Sequence, residues 1–179
     1  MQTRGHRLDK GDILIIRQAI PDDAPTVMSF AEATSRETDF LSFGPGEFGF
    51  TEGQERAFIH DCELSNTSLF LLGEIDDQLV SVLTFNGGGR PRNQHTGEFG
   101  VSVRKSAWSR GIGSLMIDTL IAWAQAGGVV TKIDLRVRAD HTRAIALYSR
   151  KGFSIEGTIS RATRIRGEYF DHHCMGLQL

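Results

Sequence analysis

The stretch Gly97-Glu98-Phe99-Gly100-Val101-Ser102-Val103-Arg104-Lys105-Ser106-Ala107-Trp108-Ser109-Arg110-Gly111-Ile112-Gly113-Ser114 decides how this chain folds. It opens as a short strand which, if regular, turns Glu98 to the face opposite Phe99 and Val101. A basic, small-residue loop follows from Arg104 to Ser109 and ends in Arg110-Gly111-Ile112-Gly113. Leu115 to Ala124 is apolar and helically spaced, with Ile112, Met116, Leu120 and Trp123 on one face and Gly127-Gly128 as the stop. A strand feeding a glycine loop into a helix start is a recurrent holder of phosphorylated ligands, because unpaired amides and the helix dipole both favour an anion there. Gly111 and Gly113 let the main chain come close to such a ligand. The plain alternative is an ordinary tight turn. Two phosphate-binding patterns are excluded: Gly113 is followed by Ser114-Leu115 and not by Lys-Ser or Lys-Thr, and Met116 fills the place of a dinucleotide fingerprint's third small residue. What remains is a loop that grips a diphosphate without hydrolysing it.

Outward from this loop, Leu69 to Ile75 and Leu79 to Phe85 flank Asp76-Asp77-Gln78 and predict an antiparallel hairpin. Ile13 to Ile16 reads as a buried strand, Pro21 to about Ser35 as a helix, and Thr51-Glu52-Gly53-Gln54 as a capping box opening a helix to about Leu64. Between these helices, Asp39 to Phe50 interleaves Phe40, Phe43, Phe48 and Phe50 with glycines, either packing onto the core or forming a wall for substrate. Asn86 to Gln94 is a loop carrying Arg90 and Arg92. Lys132 to Val137 alternates as a strand; Asp140 is placed to cap a helix on which Ala144, Leu147, Tyr148 and Lys151 share a face, with Gly152 as its stop. Two further strands are expected around a turn at Arg166-Gly167. The economical reading is one mixed α/β domain over residues 12–179 behind a polar leader at 1–11.

Two separated motifs carry a resemblance. Trp108-Ser109-Arg110-Gly111-Ile112-Gly113 is similar to Gln/Arg-x-x-Gly-x-Gly/Ala, and Asp140 to Phe153 to Asn-x-x-Ala-x-x-Leu-Tyr-x-x-x-Gly-Phe, the order found in the GNAT superfamily of acyl-CoA-dependent N-acyltransferases. Trp108 stands at the family's Gln/Arg and His141 at its Asn. The resemblance spans about Leu69 to Phe153 and implies an α/β fold: a mostly antiparallel central sheet flanked by helices, with a splayed central strand. It implies acetyl-CoA as co-substrate, touched by Val101, Ser102 and Val103, by the loop Ser109, Arg110, Gly111, Ile112, Gly113 and Ser114, and by His141, Ala144, Tyr148 and Arg150. The segments Glu156-Gly157, Tyr169-Phe170-Asp171 and Met175-Gly176-Leu177 resemble the bacterial branch that includes ribosomal-protein and small-amine acetyltransferases. A homodimer follows from family habit.

The implied reaction is direct transfer of acetyl from the thioester to a primary amine of a small molecule or a protein. The amine must be neutral to attack, so a base or a water chain must take its proton. Glu98 is one candidate, if burial raises its pKa, and His95 or water alone are the others. Tyr148 sits where the family places its acid, and a phenol with an ordinary pKa of about 10 is protonated at pH 7. Phe43, Arg92, His95 and Glu98 are candidates for contact with the acceptor. A noncatalytic acyl-CoA-binding module is the alternative, and a nucleotide-binding protein of another family the third possibility. His172-His173-Cys174, with His60 and Cys62, lacks the spacing of a metal site, so no metal is expected. Net charge −2 makes no case for nucleic acid or an anionic membrane, and two cysteines point to a reduced cytoplasmic compartment.

Overall fold

Period-2 alternation makes the strands, and apolar stripes make the helices, of a structure described, as a computed structural model, over residues 3–9 and 11–179. In chain order these residues form β1 (Arg4–Arg7), β2 (Ile13–Gln18), α1 (Ala24–Ser35), α2 (Glu52–Leu64), β3 (Ser68–Ile75), β4 (Gln78–Gly87) and β5 (Thr96–Val103). Then come α3 (Ile112–Gly127), β6 (Lys132–Arg138), α4 (Thr142–Arg150), β7 (Ser154–Ile165) and β8 (Glu168–Gln178). The strands make one sheet in the order β1-β2-β3-β4-β5-β6-β8-β7, antiparallel except where β5 meets β6. This is the mixed, mostly antiparallel α/β architecture expected.

Local chemistry explains several boundaries. The Thr51 side chain accepts from the Gln54 amide while the Gln54 side chain accepts from the Thr51 amide, which starts α2. Asp76 and Asp77 both take positive φ, 49° and 59°, as a two-residue hairpin turn requires. Leu69, Leu71, Leu83, Phe85, Phe99, Ile133 and Leu135 bury one face of the sheet against Ile112, Met116, Ile117 and Leu120 of α3. Each fully buried side chain of this kind is worth about 2 kcal/mol. Trp123 closes that layer edge-on to Phe85, with centroids 5.8 Å apart. Phe70 and Leu72 point to the other face and pack with Ala24, Val27 and Ile59 of α1 and α2.

β5 and β6 lie side by side only at Thr96↔Lys132, Gly97↔Ile133 and Glu98↔Asp134. Beyond Glu98, β5 stays with β4 to Val103, and β6 stays with β8 to Arg138. The two strands therefore part, and the sheet opens in a split between Gly100–Val103 and Leu135–Arg138. Two expectations change. Arg4–Arg7, inside the span read as a polar leader, is the edge strand paired with β2; Met1, Gln2 and Lys10 of that span lie outside the described residues. Asp140 does not cap α4: the N-cap is His141, without a side-chain cap bond, because Asp140 is held by Arg138 at 3.0 and 2.6 Å.

Candidate active site

Main-chain direction in the split follows from one hydrogen bond. Arg104 N–H reaches the Val80 carbonyl at 2.9 Å, so by antiparallel alternation residues 102 and 100 also bond toward β4. The groups of Phe99, Val101 and Val103 then point the other way, into the opening. Ser102, expected among the ligand contacts, turns its carbonyl to the β4 side, where it accepts from Ser81 Oγ at 2.8 Å. The Val103 carbonyl is also committed, because Trp108 Nε1 donates to it at 2.7 Å. Val101 N–H, Val101 C=O and Val103 N–H are left facing the split, and groups of that kind need partners. An extended ligand with amides would pair with them as an added strand does.

The loop beyond β5 leaves main-chain amides free at the start of a helix. Ser109 and Gly111 both take positive φ, 64° and 80°. A non-glycine residue in that region costs about 1 kcal/mol, and successive amides in such a turn form an anion-binding concavity. The first intrahelical bond of α3 runs from Leu115 N–H to the Gly111 carbonyl at 3.1 Å, so the amides of Ile112, Gly113 and Ser114 precede it and carry the positive end of the dipole. Ile112 buries its side chain in the core and presents only its amide, and Ser114 is half-buried. α4 lies beside Gly113, where a Cβ would be in ordinary van der Waals contact 3.5 Å from Leu147 Cδ2.

The cation of this loop is not the one expected. Arg110 pairs with Asp12 of the β1–β2 turn, and its Nε is buried without a partner. Arg143, from the first turn of α4, donates instead to Ser109 Oγ at 3.1 Å and lies over the Trp108 ring at 5.7 Å. Nothing in the motif spacing singled Arg143 out; its helical partner Leu147, one turn on and beside Gly113, is the signal that places it. Arg150, another expected contact, is exposed on the last turn, about 10 Å along the helix axis from Arg143. Ala144 is half-buried against the core.

Tyr148 packs edge-on to Phe99 at 5.8 Å and to Phe153 at 6.1 Å, on the α3 side of the sheet. Burial pushes its phenol up to about 12, so it is protonated at any working pH. It is also a weaker acid than an ordinary phenol, and complete transfer to a thiolate of ordinary pKa is uphill. Hydrogen-bond donation to the charge developing on sulfur is the role its environment supports, and the same dry surroundings raise a thiol's pKa too.

Glu98 faces the opposite side of the sheet from Phe99. The burial expected to tune it is absent: it is exposed and paired with Arg136, Nε to Oε2 at 3.1 Å. His95 is exposed, and its carbonyl accepts from Thr131 and Lys132 at 2.8 and 3.0 Å. It and the exposed Arg92 precede the closed end of the split, whereas the phosphate-type loop leaves the other end of β5. His172 and His173 contact Thr163 and Thr158, at 3.1 and 2.8 Å, while His60 and Cys62 are on α2.

The α1–α2 loop reaches over the open end. Glu37 accepts from Arg104 Nε at 2.9 Å and from the Lys105 amide at 2.6 Å. Arg138, 9% exposed, donates Nη1 to the Asp39 carbonyl at 3.1 Å and lies between the Phe40 and Phe170 rings, 4.7 and 3.7 Å from their centroids. Phe40 stacks on His141 at 3.8 Å, and burial lowers the His141 pKa. Phe43, a candidate acceptor contact, instead begins a chain of rings through Phe48, Phe50 and Phe58 to the buried Phe70. Packing onto the core therefore explains most of this aromatic cluster. A cleft of about 570 Å³ remains between the loop and the β7–β8 turn, lined by Phe40, Trp108, Arg138, Arg166, Glu168 and Phe170 among others.

Comparison with known proteins points in one direction. The model of the acetyltransferase (GNAT) family matches residues 33–153. The L-amino acid N-acetyltransferase AaaT of Escherichia coli (strain K12) is 34% identical over 105 residues, which cover 59% of this chain and 65% of that protein. The acetyltransferase of GNAT family from Streptococcus pneumoniae superposes with a TM-score of 0.90 at 30% identity, covering 93% of this chain and 99% of that one. The yncA protein of Salmonella typhimurium, solved with its cofactor acetyl-CoA, superposes with a TM-score of 0.79 at 18% identity over 93% and 94% of the two chains.

Proposed function

The chain belongs to the acetyltransferase (GNAT) family, and from that premise we propose that it transfers acetyl from acetyl-CoA directly to a primary amine, acting as one domain. The observation that carries this reading is the split itself: free main-chain groups of Val101 and Val103 lead to the bare amides of Ile112 to Ser114. A pantetheine arm fits the first and a pyrophosphate the second. Arg143 adds a cation beside the loop that Trp108 and the committed Arg110 do not supply.

In the proposed reaction the neutral amine attacks the thioester carbonyl, its nitrogen–carbon bond forms, and the carbon–sulfur bond breaks. Tyr148 donates a hydrogen bond to the departing sulfur, which leaves as the thiolate and takes its proton from solvent. The proton lost by the amine goes to Glu98 or to water on the other face of the sheet. A main-chain N–H of β5 steadies the oxyanion. The two faces divide the work: Tyr148 and Phe99 serve the thioester side, and Glu98 the acceptor side.

The test is an amine panel followed by thiol release from acetyl-CoA. Turnover with at least one amine supports the proposal, and release no faster than hydrolysis across the panel overturns it. Arg143→Ala is expected to raise the KM for acetyl-CoA about fivefold, the order of one exposed charge contact. The amine KM should stay as it was, and steady-state kinetics with each substrate varied in turn checks both.

A further inference from the structure

We infer that Glu98 and Arg136 together form the recognition site for the free α-amino acid group of the acceptor, Glu98 taking the α-amine and Arg136 the α-carboxylate. This rests on the proposal that the chain is an amine acetyltransferase and names the class of amine.

The placement comes from register. Glu98 and Asp134 are the last residues to face each other before the strands part. Arg136, two residues on along β6, is the next residue on the same face, and it leans back to Glu98 at 3.1 Å across the start of the split. Gly100, two residues beyond Glu98 on β5, leaves the floor bare: a Cβ there would meet only Thr84 Oγ1, at 3.9 Å. A small molecule therefore has room beside the pair at the level where the split begins.

The pair is also under-committed. Among the described residues, Glu98 is the only polar partner of Arg136, through one nitrogen and one oxygen, so both Nη groups and Oε1 are open. The other cations of this face are taken. Arg138 gives Nε and Nη2 to Asp140 and Nη1 to the Asp39 carbonyl. Lys132 holds Asp134 and Glu156. An exposed ion pair such as Glu98–Arg136 contributes little to stability, so exchanging it for a ligand's charges costs little.

Chemistry then selects the ligand. A carboxylate beside a guanidinium is complementary to an ammonium beside a carboxylate, and a free amino acid carries those two groups on one carbon. Arg binds a carboxylate in fork geometry through its two open nitrogens. The ammonium must shed a proton before it attacks, and Glu98 is the group it meets. A protein N-terminus or a polyamine has no carboxylate beside its amine and leaves Arg136 unused.

The experiment measures kcat/KM for L-amino acids and for their C-terminal amides with wild type, Arg136→Gln and Arg136→Lys. Comparing the two ratios cancels the differing basicity of the amines, and acetyl-CoA binding by calorimetry shows that each variant is folded. The amino-acid-to-amide ratio should fall at least tenfold in Arg136→Gln and recover in part in Arg136→Lys. A ratio that does not change in Arg136→Gln, or a wild type that acetylates amides or peptide N-termini but no amino acid, overturns this inference and leaves the acetyltransferase proposal standing. A wild type that acetylates no amine overturns both.

Discussion

Tyr148→Phe is expected to lower kcat for thiol release about 10²- to 10³-fold, the range for removing one preorganised hydrogen-bond donor to developing charge. The affinity for acetyl-CoA should be unchanged. The substitution keeps the ring, so the edge contacts with Phe99 and Phe153 survive and only the hydroxyl is lost. Calorimetry with coenzyme A and a thiol-release assay on the same preparation separate the two quantities. A noncatalytic acyl-CoA-binding module would show the binding without a rate to lose. The wild-type pH–rate profile should show no fall from Tyr148 ionisation until pH approaches about 12, because burial favours the neutral phenol. The same shift bears on stability: what the neutral phenol contributes is complete below its ordinary value of 10.0 and is lost as pH rises toward about 12.

Gly97→Ala should be strongly destabilising, because the sheet leaves no room for a methyl group at that position. A Cβ at Gly97 would lie 2.4 Å from the Asn86 carbonyl oxygen, 2.6 Å from Gly87 Cα and 2.6 Å from Cζ of the fully buried Phe85. Two of these are backbone atoms of the paired strand and cannot rotate away. The expected cost is about 3 kcal/mol, lowering Tm by roughly 6–12 °C for a chain of this size. Gly97 also sits one residue before the split, so the strand shift would reach Glu98 and reduce activity at temperatures where the variant is still folded. Gly100→Ala is the control, because its Cβ meets an ordinary van der Waals distance and should change stability by less than about 1 kcal/mol. Thermal unfolding of the two variants side by side decides the matter.

What could be read from the chain and what could not divides by the range of the interaction. The capping box at Thr51, the hairpin at Asp76-Asp77, the buried stripe of α3 and the alternation of β6 are local patterns, and the structure has them. The family motifs likewise lie within short stretches. The misread features depend on residues far apart in the chain. Arg110 looks like the loop's cation until it is seen to meet Asp12, 98 positions away. Asp140 looks like a cap until Arg138, held between Phe40 and Phe170, takes both its oxygens. Glu98 depends on burial to be tuned as a base, and whether a strand face is covered is set by distant segments; here it is exposed and paired with Arg136. Trp108 departs from the family motif, and its indole bond to the Val103 carbonyl gives the departure a structural role. β1 is not legible in the sequence, because Arg4–Arg7 is polar and is a strand only by pairing with β2.

We place acetyl-CoA in the opening between β5 and β6, with its diphosphate on the first amides of α3. Amide hydrogen exchange with and without saturating coenzyme A reads that placement residue by residue. Exchange should slow at Val101, Val103 and Ile112 to Ser114, with the hairpin β3–β4 unaffected. Unchanged exchange at these amides, or protection confined to another part of the sheet, would contradict that placement.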